Sequence, residues 1–216
     1  MNVFMTGATG YIGHHLIPQL LRRGHVVRAL VRDGSEKKLA RGAIAVRGDA
    51  LDRSTFAAQI APSDTFVQLV GVAHPSPAKA AEFRAVDLVS VTESVAAACR
   101  STIHHFVYLS VAQPAPIMRE YVAVRAEGEW MLRRCGLPAT FIRPWYVLGP
   151  GHRWPYAILP LYWLAMLAPA SRDTARRLYP VPLSKVVRSI VDAIERPPSG
   201  VRIVEAPEIA KAAAIA

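Results

Sequence analysis

The chain has 216 residues, 52% of them hydrophobic, and a formal net charge of +10. This length and composition fit one domain with a full core and exclude a disordered chain. The arginines are scattered and no nucleic-acid-binding motif accompanies them, so we expect no nucleic-acid partner. Cys99 and Cys135 have neither metal nor disulfide spacing. We therefore expect no metal site and a reducing, cytoplasmic location.

Strand-like and helix-like segments alternate along the first 144 residues. The hydrophobic pattern predicts buried strands at 2–7, 26–32, 43–49, 65–71, 105–110 and 139–144. It predicts helices at 11–23, 78–99 and 118–135, with shorter helices near 35–40 and 54–60. This alternation indicates an α/β fold, a doubly wound parallel sheet of the Rossmann type. Ligands of such sheets bind at the carboxyl ends of the strands.

The pattern changes after Pro144, where residues 149–170 are rich in aromatic side chains. The apolar run from Trp154 to Ala170 contains three prolines and is too short and too broken for a membrane-spanning helix. A lid over a hydrophobic substrate, a dimer surface and a peripheral membrane contact through 152–170 all stay open.

A last helix at 182–195 and a last strand at 200–207 complete the chain. We therefore expect a single domain over 1–216, in which residues 145–182 form a small apolar substrate or lid segment. Helices such as the one predicted at 118–135 also leave a homodimer open.

Three glycines follow the first strand in the stretch TGATGYIG and open the first helix. Gly7 permits a tight turn, Gly10 lets backbone amides approach a pyrophosphate, and Gly13 lets helix and strand pack closely. The helix N-terminus adds partial positive charge. The spacing therefore predicts a dinucleotide phosphate site. Its contacts include the loop residues Thr9, Tyr11 and Ile12.

This stretch resembles the short-chain dehydrogenase/reductase superfamily, in its extended and atypical (NmrA-like) branches. Further motifs follow in the expected order: GDALD (48–52), LVG (69–71), FVYLS (106–110), YVAVRAEGEWMLRRCGLPATFIRP (121–144) and VLGPG (147–151). The resemblance covers nearly the whole chain. It implies a nicotinamide dinucleotide as ligand, with Asp49 near the adenine and the strand end at Gly71 beside the adenine ribose. The other implied contacts are Ala50, Val70, Val72, Tyr121, Arg125 and Pro144.

The end of the second strand bears on which dinucleotide binds. An NAD site usually places an acid there to hold the ribose 2′-hydroxyl. In ALVRDG, Val31 stands where the acid is expected and Arg32 follows. A guanidinium matches a 2′-phosphate bidentately. We therefore favour NADP(H), and NAD(H) stays the alternative because Asp33 could turn inward.

The resemblance also implies a catalytic set. In active members a Ser polarises the substrate carbonyl, a Tyr transfers the proton, and a Lys four residues later lowers the pKa of the Tyr. The counterparts here are Ser110, Tyr121 and Arg125, so the lysine is replaced. The spacing keeps Tyr and Arg on one helical face. Arg can stabilise a tyrosinate but cannot act as a compact, relaying ammonium.

Two functions follow from these residues. The first is an NADP(H)-dependent oxidoreductase of the short-chain dehydrogenase/reductase type acting on a small carbonyl-like substrate. The alternative is a non-catalytic dinucleotide-binding redox sensor, or an assembly or regulatory protein. His74, Trp145 and Tyr146 follow strand ends and are expected in the substrate pocket.

Overall fold

The computed structural model describes residues 1–151 and 157–213. Its strands are β1 (Asn2–Thr6), β2 (Val26–Val31), β3 (Ile44–Arg47), β4 (Thr65–Gln68), β5 (His105–Leu109), β6 (Ala139–Arg143), β7 (Val147–Leu148), β8 (Val181–Pro182) and β9 (Val201–Glu205). Seven of them form one parallel sheet in the order β3-β2-β1-β4-β5-β6-β9, and β7 pairs with β8. The predicted doubly wound parallel sheet is confirmed.

Helices cover both faces of the sheet. They are α1 (Tyr11–Arg22), α2 (Ala80–Glu82), α3 (Val89–Ala98), α4 (Arg119–Cys135), α5 (Leu159–Leu167), α6 (Pro169–Arg177), α7 (Leu183–Glu195) and α8 (Ala206–Lys211). A π-helical segment, Phe83–Leu88, joins α2 to α3. The helix predicted at 78–99 is therefore present, but its middle is not α-helical.

Alternate residues of the strands supply two separate cores. On one face, aliphatic side chains such as Val3 and Val67 pack against α1 and α7. On the other face, aromatic side chains such as Phe4, Phe66 and Phe106 pack with α3 and α4. The rings of Phe66 and Phe106 stack with their centroids 5.0 Å apart. Burial on both faces explains why the strands are almost continuously apolar.

Two predicted helices differ in type from the structure. The short helices expected near 35–40 and 54–60 are 3₁₀ turns at Glu36–Lys38, Arg53–Thr55 and Ala57–Gln59. The Pro-broken segment forms α5 and α6, and its residues 152–156 lie outside the described residues. No helix in the described ranges is long and apolar enough to cross a membrane.

The two cysteines form a disulfide, with their Cα atoms 6.4 Å apart. The expectation of no disulfide was therefore wrong. Cys99 follows the last residue of α3 and Cys135 ends α4. Both helices pack on the aromatic face of the sheet, so their ends meet although 36 residues separate them in sequence. The cysteine argument for a reducing compartment is removed, and the cytoplasmic location stays a prediction.

Candidate functional site

Two positions of the glycine loop, Gly7 and Gly13, leave no room for a side chain. Gly7 has a φ of +72°, in the left-handed region that favours glycine. A Cβ atom on Gly7 would lie 2.8 Å from the backbone of Leu69 and Val70. A Cβ atom on Gly13 would lie 2.6 Å from the carbonyl oxygens of Gly7 and Ala8. The loop therefore holds β1, α1 and the end of β4 in close contact.

The N-terminus of α1 opens at this loop. Gly10 precedes the helix in an extended conformation, and its amide donates to the Gly7 carbonyl oxygen at 3.0 Å. No side chain caps the helix and its first turn carries no acid. The first amides of a helix have no partner within the helix, and they carry partial positive charge. This helix end fits a pyrophosphate, because no side chain caps it and no acid in its first turn repels an anion.

A cavity of about 400 Å³ extends from the loop along the carboxyl ends of β4, β5 and β6. It brings together most of the residues that the sequence singles out. From the predicted cofactor and catalytic residues, its walls include Gly7, Gly10, Tyr11, Ile12, Gly13, Gly71, Val72, Ser110, Tyr121, Arg125 and Pro144. The predicted substrate-pocket residues His74, Trp145 and Tyr146 line it too.

Five predicted cofactor residues lie outside this lining. Thr9 is exposed in the loop, and Ala50 packs against the aromatic core. The Asp49 carboxylate accepts a hydrogen bond from the Leu51 amide at 3.0 Å. Val70 contributes its carbonyl oxygen, 3.4 Å from the Arg125 guanidinium. The fifth is Arg32.

Arg32 is exposed at the residue after β2. Within the described residues no carboxylate lies within 4.0 Å of its guanidinium. The neighbouring Asp33 has a different partner, since its carboxylate lies 3.9 Å from Arg47. Arg47 also lies 2.9 Å from Glu36. The acid that could hold a ribose hydroxyl therefore faces a cation on β3.

Arg125 forms a buried ion pair that the sequence does not reveal. One of its terminal nitrogens lies 2.6 Å from an Asp87 carboxylate oxygen, and both side chains are almost inaccessible, at 3% and 0% exposure. The second Asp87 oxygen accepts from the Val72 amide at 2.9 Å. The other terminal nitrogen of Arg125 donates to the Leu109 carbonyl at 2.8 Å. A Cβ atom on Gly71 would collide with the guanidinium.

Burial and the neighbouring groups shift the pKa values of Arg125 and Asp87 in opposite directions. Burial disfavours the charge of Arg125, but Tyr121, Tyr108 and Asp87 outweigh it and raise the pKa of the guanidinium. Burial raises the pKa of Asp87, with Arg125 and the Val72 amide acting against it. Burial raises the pKa of Tyr108 to about 12. Arg125 is therefore a fixed cation, and Tyr108 keeps its proton.

Tyr121 stands one helical turn before Arg125 and is partly exposed in the cavity. Its ring centroid lies 5.2 Å from the central guanidinium carbon of Arg125 and 4.9 Å from the ring of Phe83. The phenol is thus packed between a buried cation and an aromatic ring. Its remaining surface faces the cavity.

Ser110 is engaged by a second buried carboxylate. Its hydroxyl donates to Glu129 at 2.6 Å. Glu129 also accepts hydrogen bonds from Gln113, at 2.8 Å, and from Arg143. The Ser110 proton therefore points to Glu129. A carbonyl could be polarised by this hydroxyl only if it turned away from that carboxylate.

Sequence reasoning missed both carboxylates. Glu129 follows Arg125 by four residues on the buried face of α4, a spacing that places the two on one side of the helix. Asp87 is the one charge in the stretch AVDLVSV. An isolated acid in an apolar helical run is a signal for a buried partner.

The far wall of the cavity is aromatic. The rings of Trp145 and Tyr146 meet edge to face, with centroids 5.6 Å apart. Burial raises the pKa of Tyr146. His74 is exposed, with a φ of +50°. Across 1–151 and 157–213, no group of three His, Cys, Asp or Glu side chains is arranged to hold a metal ion. This end of the cavity suits an apolar group.

Comparisons with protein families and with curated proteins find similar sequences. The sequence model of the family described as NAD(P)H-binding matches residues 7–154. A ketoreductase for a farnesylated dihydroquinoline oxide from Stigmatella aurantiaca is 27% identical over 171 residues, 69% of this chain and 51% of that protein. Ceramide reductase of Caulobacter vibrioides is 26% identical over 181 residues, 81% of this chain and 55% of that protein. The chain spans about half the length of these relatives.

Solved structures share the fold. The Bordetella bronchiseptica enzyme WbmH in complex with NAD⁺ has a TM-score of 0.69 at 20% identity, over 94% of this chain and 75% of that one. UDP-glucose 4-epimerase from Thermotoga maritima, with UDP-glucose, has a TM-score of 0.68 at 18% identity, over 95% and 77% of the two chains. At these identities the likeness concerns the fold alone.

Proposed function

The chain belongs to the NAD(P)H-binding family, and from that premise we propose that it is an NADP(H)-dependent oxidoreductase that reduces the carbonyl group of a small apolar substrate. One observation carries the proposal: a single cavity joins the glycine loop to Tyr121 and Arg125. The curated relatives named above are reductases, which supports the reaction class. The aromatic wall supports an apolar substrate.

Different residues of the chain have different roles in this reaction. The nicotinamide, when bound, supplies the hydride. The loop amides and the N-terminus of α1 hold the pyrophosphate. Tyr121 donates its phenolic proton to the carbonyl oxygen of the substrate. The buried positive charge of Arg125, 5.2 Å from the centre of the Tyr121 ring, stabilises the tyrosinate that remains.

Arg125 does not relay that proton. Its pKa is raised, and its terminal nitrogens already donate to Asp87 and the Leu109 carbonyl. Tyr121 is partly exposed, so water in the cavity returns the proton to it. We assign the proton transfer to Tyr121 alone, because the hydroxyl of Ser110 is held by Glu129. A role for Ser110 in polarising the carbonyl stays a prediction.

Replacing Tyr121 tests this assignment. We expect Tyr121→Phe to lower NADPH oxidation by at least about 100-fold with a panel of apolar ketones and aldehydes. The dissociation constant for NADPH should change by less than about threefold, since the phosphates bind elsewhere. Tyr108→Phe is the matched control, because Tyr108 also lies beside Arg125 but is fully buried. Unchanged turnover in Tyr121→Phe would remove Tyr121 from the mechanism.

Cofactor preference has its own test. We propose that Arg32 pairs with the 2′-phosphate, and we expect NADPH to bind at least about tenfold more tightly than NADH. Arg32→Ala should abolish the difference. Arg28→Ala, on β2, should preserve it, since Arg28 donates to the Gln59 carbonyl. Equal affinity of the wild type for both dinucleotides would contradict the proposal.

The buried partners of Arg125 and Ser110 favour one alternative, a non-catalytic dinucleotide-binding protein. Both polar groups are held by the protein itself, as in a structural network. The same experiments decide between the two functions. Tight NADPH binding with no turnover of any carbonyl compound would favour the alternative.

A further inference from the structure

Helix α5 exposes an unbroken apolar face. Its sequence, LPLYWLAML, contains no charged residue. The exposed fractions are 65% for Leu161, 57% for Trp163, 65% for Leu164 and 74% for Leu167. A helix on the surface of a soluble domain normally turns polar side chains to water. Here the outward side is apolar as well, and such a patch marks an interaction surface.

The other side of α5 is attached to the rest of the domain. The ring of Tyr162 lies 5.8 Å from that of Tyr179. Trp163 stays 57% exposed, although its indole N–H also donates to the Tyr179 hydroxyl at 3.2 Å. Burial, with a contribution from Tyr146, raises the pKa of Tyr162 to about 12. Tyr146 lines the cavity. One side of α5 therefore lies near the cavity wall, and the opposite side is exposed.

Cations border the exposed face. The Arg172 side chain is exposed, and its Nε donates to the Met166 carbonyl at 3.0 Å, at the C-terminal end of α5. This bond holds a guanidinium beside Leu167. Arg176 is exposed one helical turn further along α6. The apolar side chains of α5 and the arginines of the neighbouring α6 together offer apolar area to the acyl boundary and cations to lipid phosphates.

We propose that the exposed face of α5, together with Arg172 and Arg176, docks this protein on the surface of an anionic phospholipid bilayer. Leu161, Leu164 and Leu167 enter the acyl boundary, and the arginines pair with lipid phosphates. Charge complementarity selects this occupant. The chain carries a net charge of +10, so a second copy would place like charges against each other, whereas anionic lipid neutralises them.

Vesicle sedimentation tests the proposal. The full chain is mixed with vesicles of neutral phosphatidylcholine, or of phosphatidylcholine with 30% phosphatidylserine, at 0.1 M and 0.5 M salt. We expect binding to the anionic vesicles at 0.1 M salt, clearly weaker binding at 0.5 M, and little binding to neutral vesicles. Leu167→Glu should lower the partition coefficient at least about tenfold, because one buried Leu changes an equilibrium by that much.

Two tryptophans form a matched pair of variants. Trp163 on α5 and Trp130 on α4 are 57% and 54% exposed. Trp163→Glu should lose vesicle binding as Leu167→Glu does, and Trp130→Glu, with the same change of charge, should keep it within about twofold. Binding lost equally in both would overturn the proposal. So would wild-type protein that stays in the supernatant with anionic vesicles.

Sedimentation velocity tests whether a second copy of the chain binds this face instead. A dimer that Leu167→Glu dissociates, without any vesicle binding by the wild type, would assign the face to a second copy and refute membrane docking. The vesicle assay uses neither cofactor nor turnover. Its outcome is therefore separate from the outcome of the proposed reductase activity.

Discussion

Replacing Asp87 by Asn would leave the Arg125 guanidinium buried without its counter-charge. The two side chains are 0% and 3% exposed, so water cannot compensate for the loss. Removing one partner of a buried ion pair costs about 3–5 kcal/mol of the free energy of unfolding. For a domain of this size, each 1 kcal/mol lowers Tm by about 2–4 °C. We therefore expect Asp87→Asn to lower Tm by roughly 6–20 °C.

The choice of Asn isolates the charge. Asn has nearly the volume of Asp, and its carbonyl oxygen can still accept from the Val72 amide. In Arg125→Met the cation is gone, so the double variant Asp87→Asn/Arg125→Met should be less destabilised than the sum of the single variants by about 2 kcal/mol. Glu93→Gln is the control, since Glu93 pairs with Arg53 on the surface and should cost less than about 1 kcal/mol.

Urea unfolding followed by circular dichroism measures these differences. We expect equal m-values and a shifted midpoint for the single variants. A cost of less than about 1 kcal/mol for Asp87→Asn would refute the stabilising role of the ion pair. Strict additivity of Asp87→Asn and Arg125→Met would also refute it, because two residues that form an ion pair must be coupled.

Two further predictions concern the glycine loop and a buried histidine. Gly13→Ala should abolish NADPH binding in a fluorescence titration, because its Cβ would lie 2.6 Å from two backbone oxygens, whereas Gly200→Ala, with open space around it, should bind normally. Burial lowers the pKa of His105 from 6.5 to about 4, so the unfolded chain takes up the proton first and stability is lost as pH falls from 6.5 to 4. This loss amounts to about 3 kcal/mol, and urea unfolding between pH 6.5 and pH 4 should show that His105→Gln lacks it. A His105→Gln variant whose stability depends on pH as steeply as that of the wild type would contradict the prediction.

The strands and the glycine loop could be predicted because their signals are local. Apolar runs give the strands, and glycine spacing gives the loop. The predicted ends of the strands were less accurate than their positions. The strand predicted at 65–71 ends at Gln68 in the sheet, and Leu69 and Gly71, beyond its end, line the cavity. Hydrophobicity continues past the last ladder bond because the cavity wall is apolar too.

The prolines of the apolar segment divide it as predicted, but the sequence did not show that two of them would also begin helices. Pro160 and Pro169 occupy the first turns of α5 and α6, where a missing amide hydrogen costs nothing. The partners of Arg125 and Ser110 could not be predicted from the sequence, because they lie far away along the chain. Asp87 lies 38 residues from Arg125, and only the packed sheet brings the two together.

The π-helical segment Phe83–Leu88 has a consequence for how the site tolerates changes of length. A π-helical turn holds one residue more than an α-helical turn, so it behaves as a one-residue insertion in a helix. Deleting one residue there would restore regular α-helix and leave the turns on either side in register, but it would turn the side chains inside the segment to new positions around the helix axis. Asp87 would then leave its register with Arg125. A deletion of a single codon, with every charged residue retained, would break the ion pair and release the cation toward the cavity.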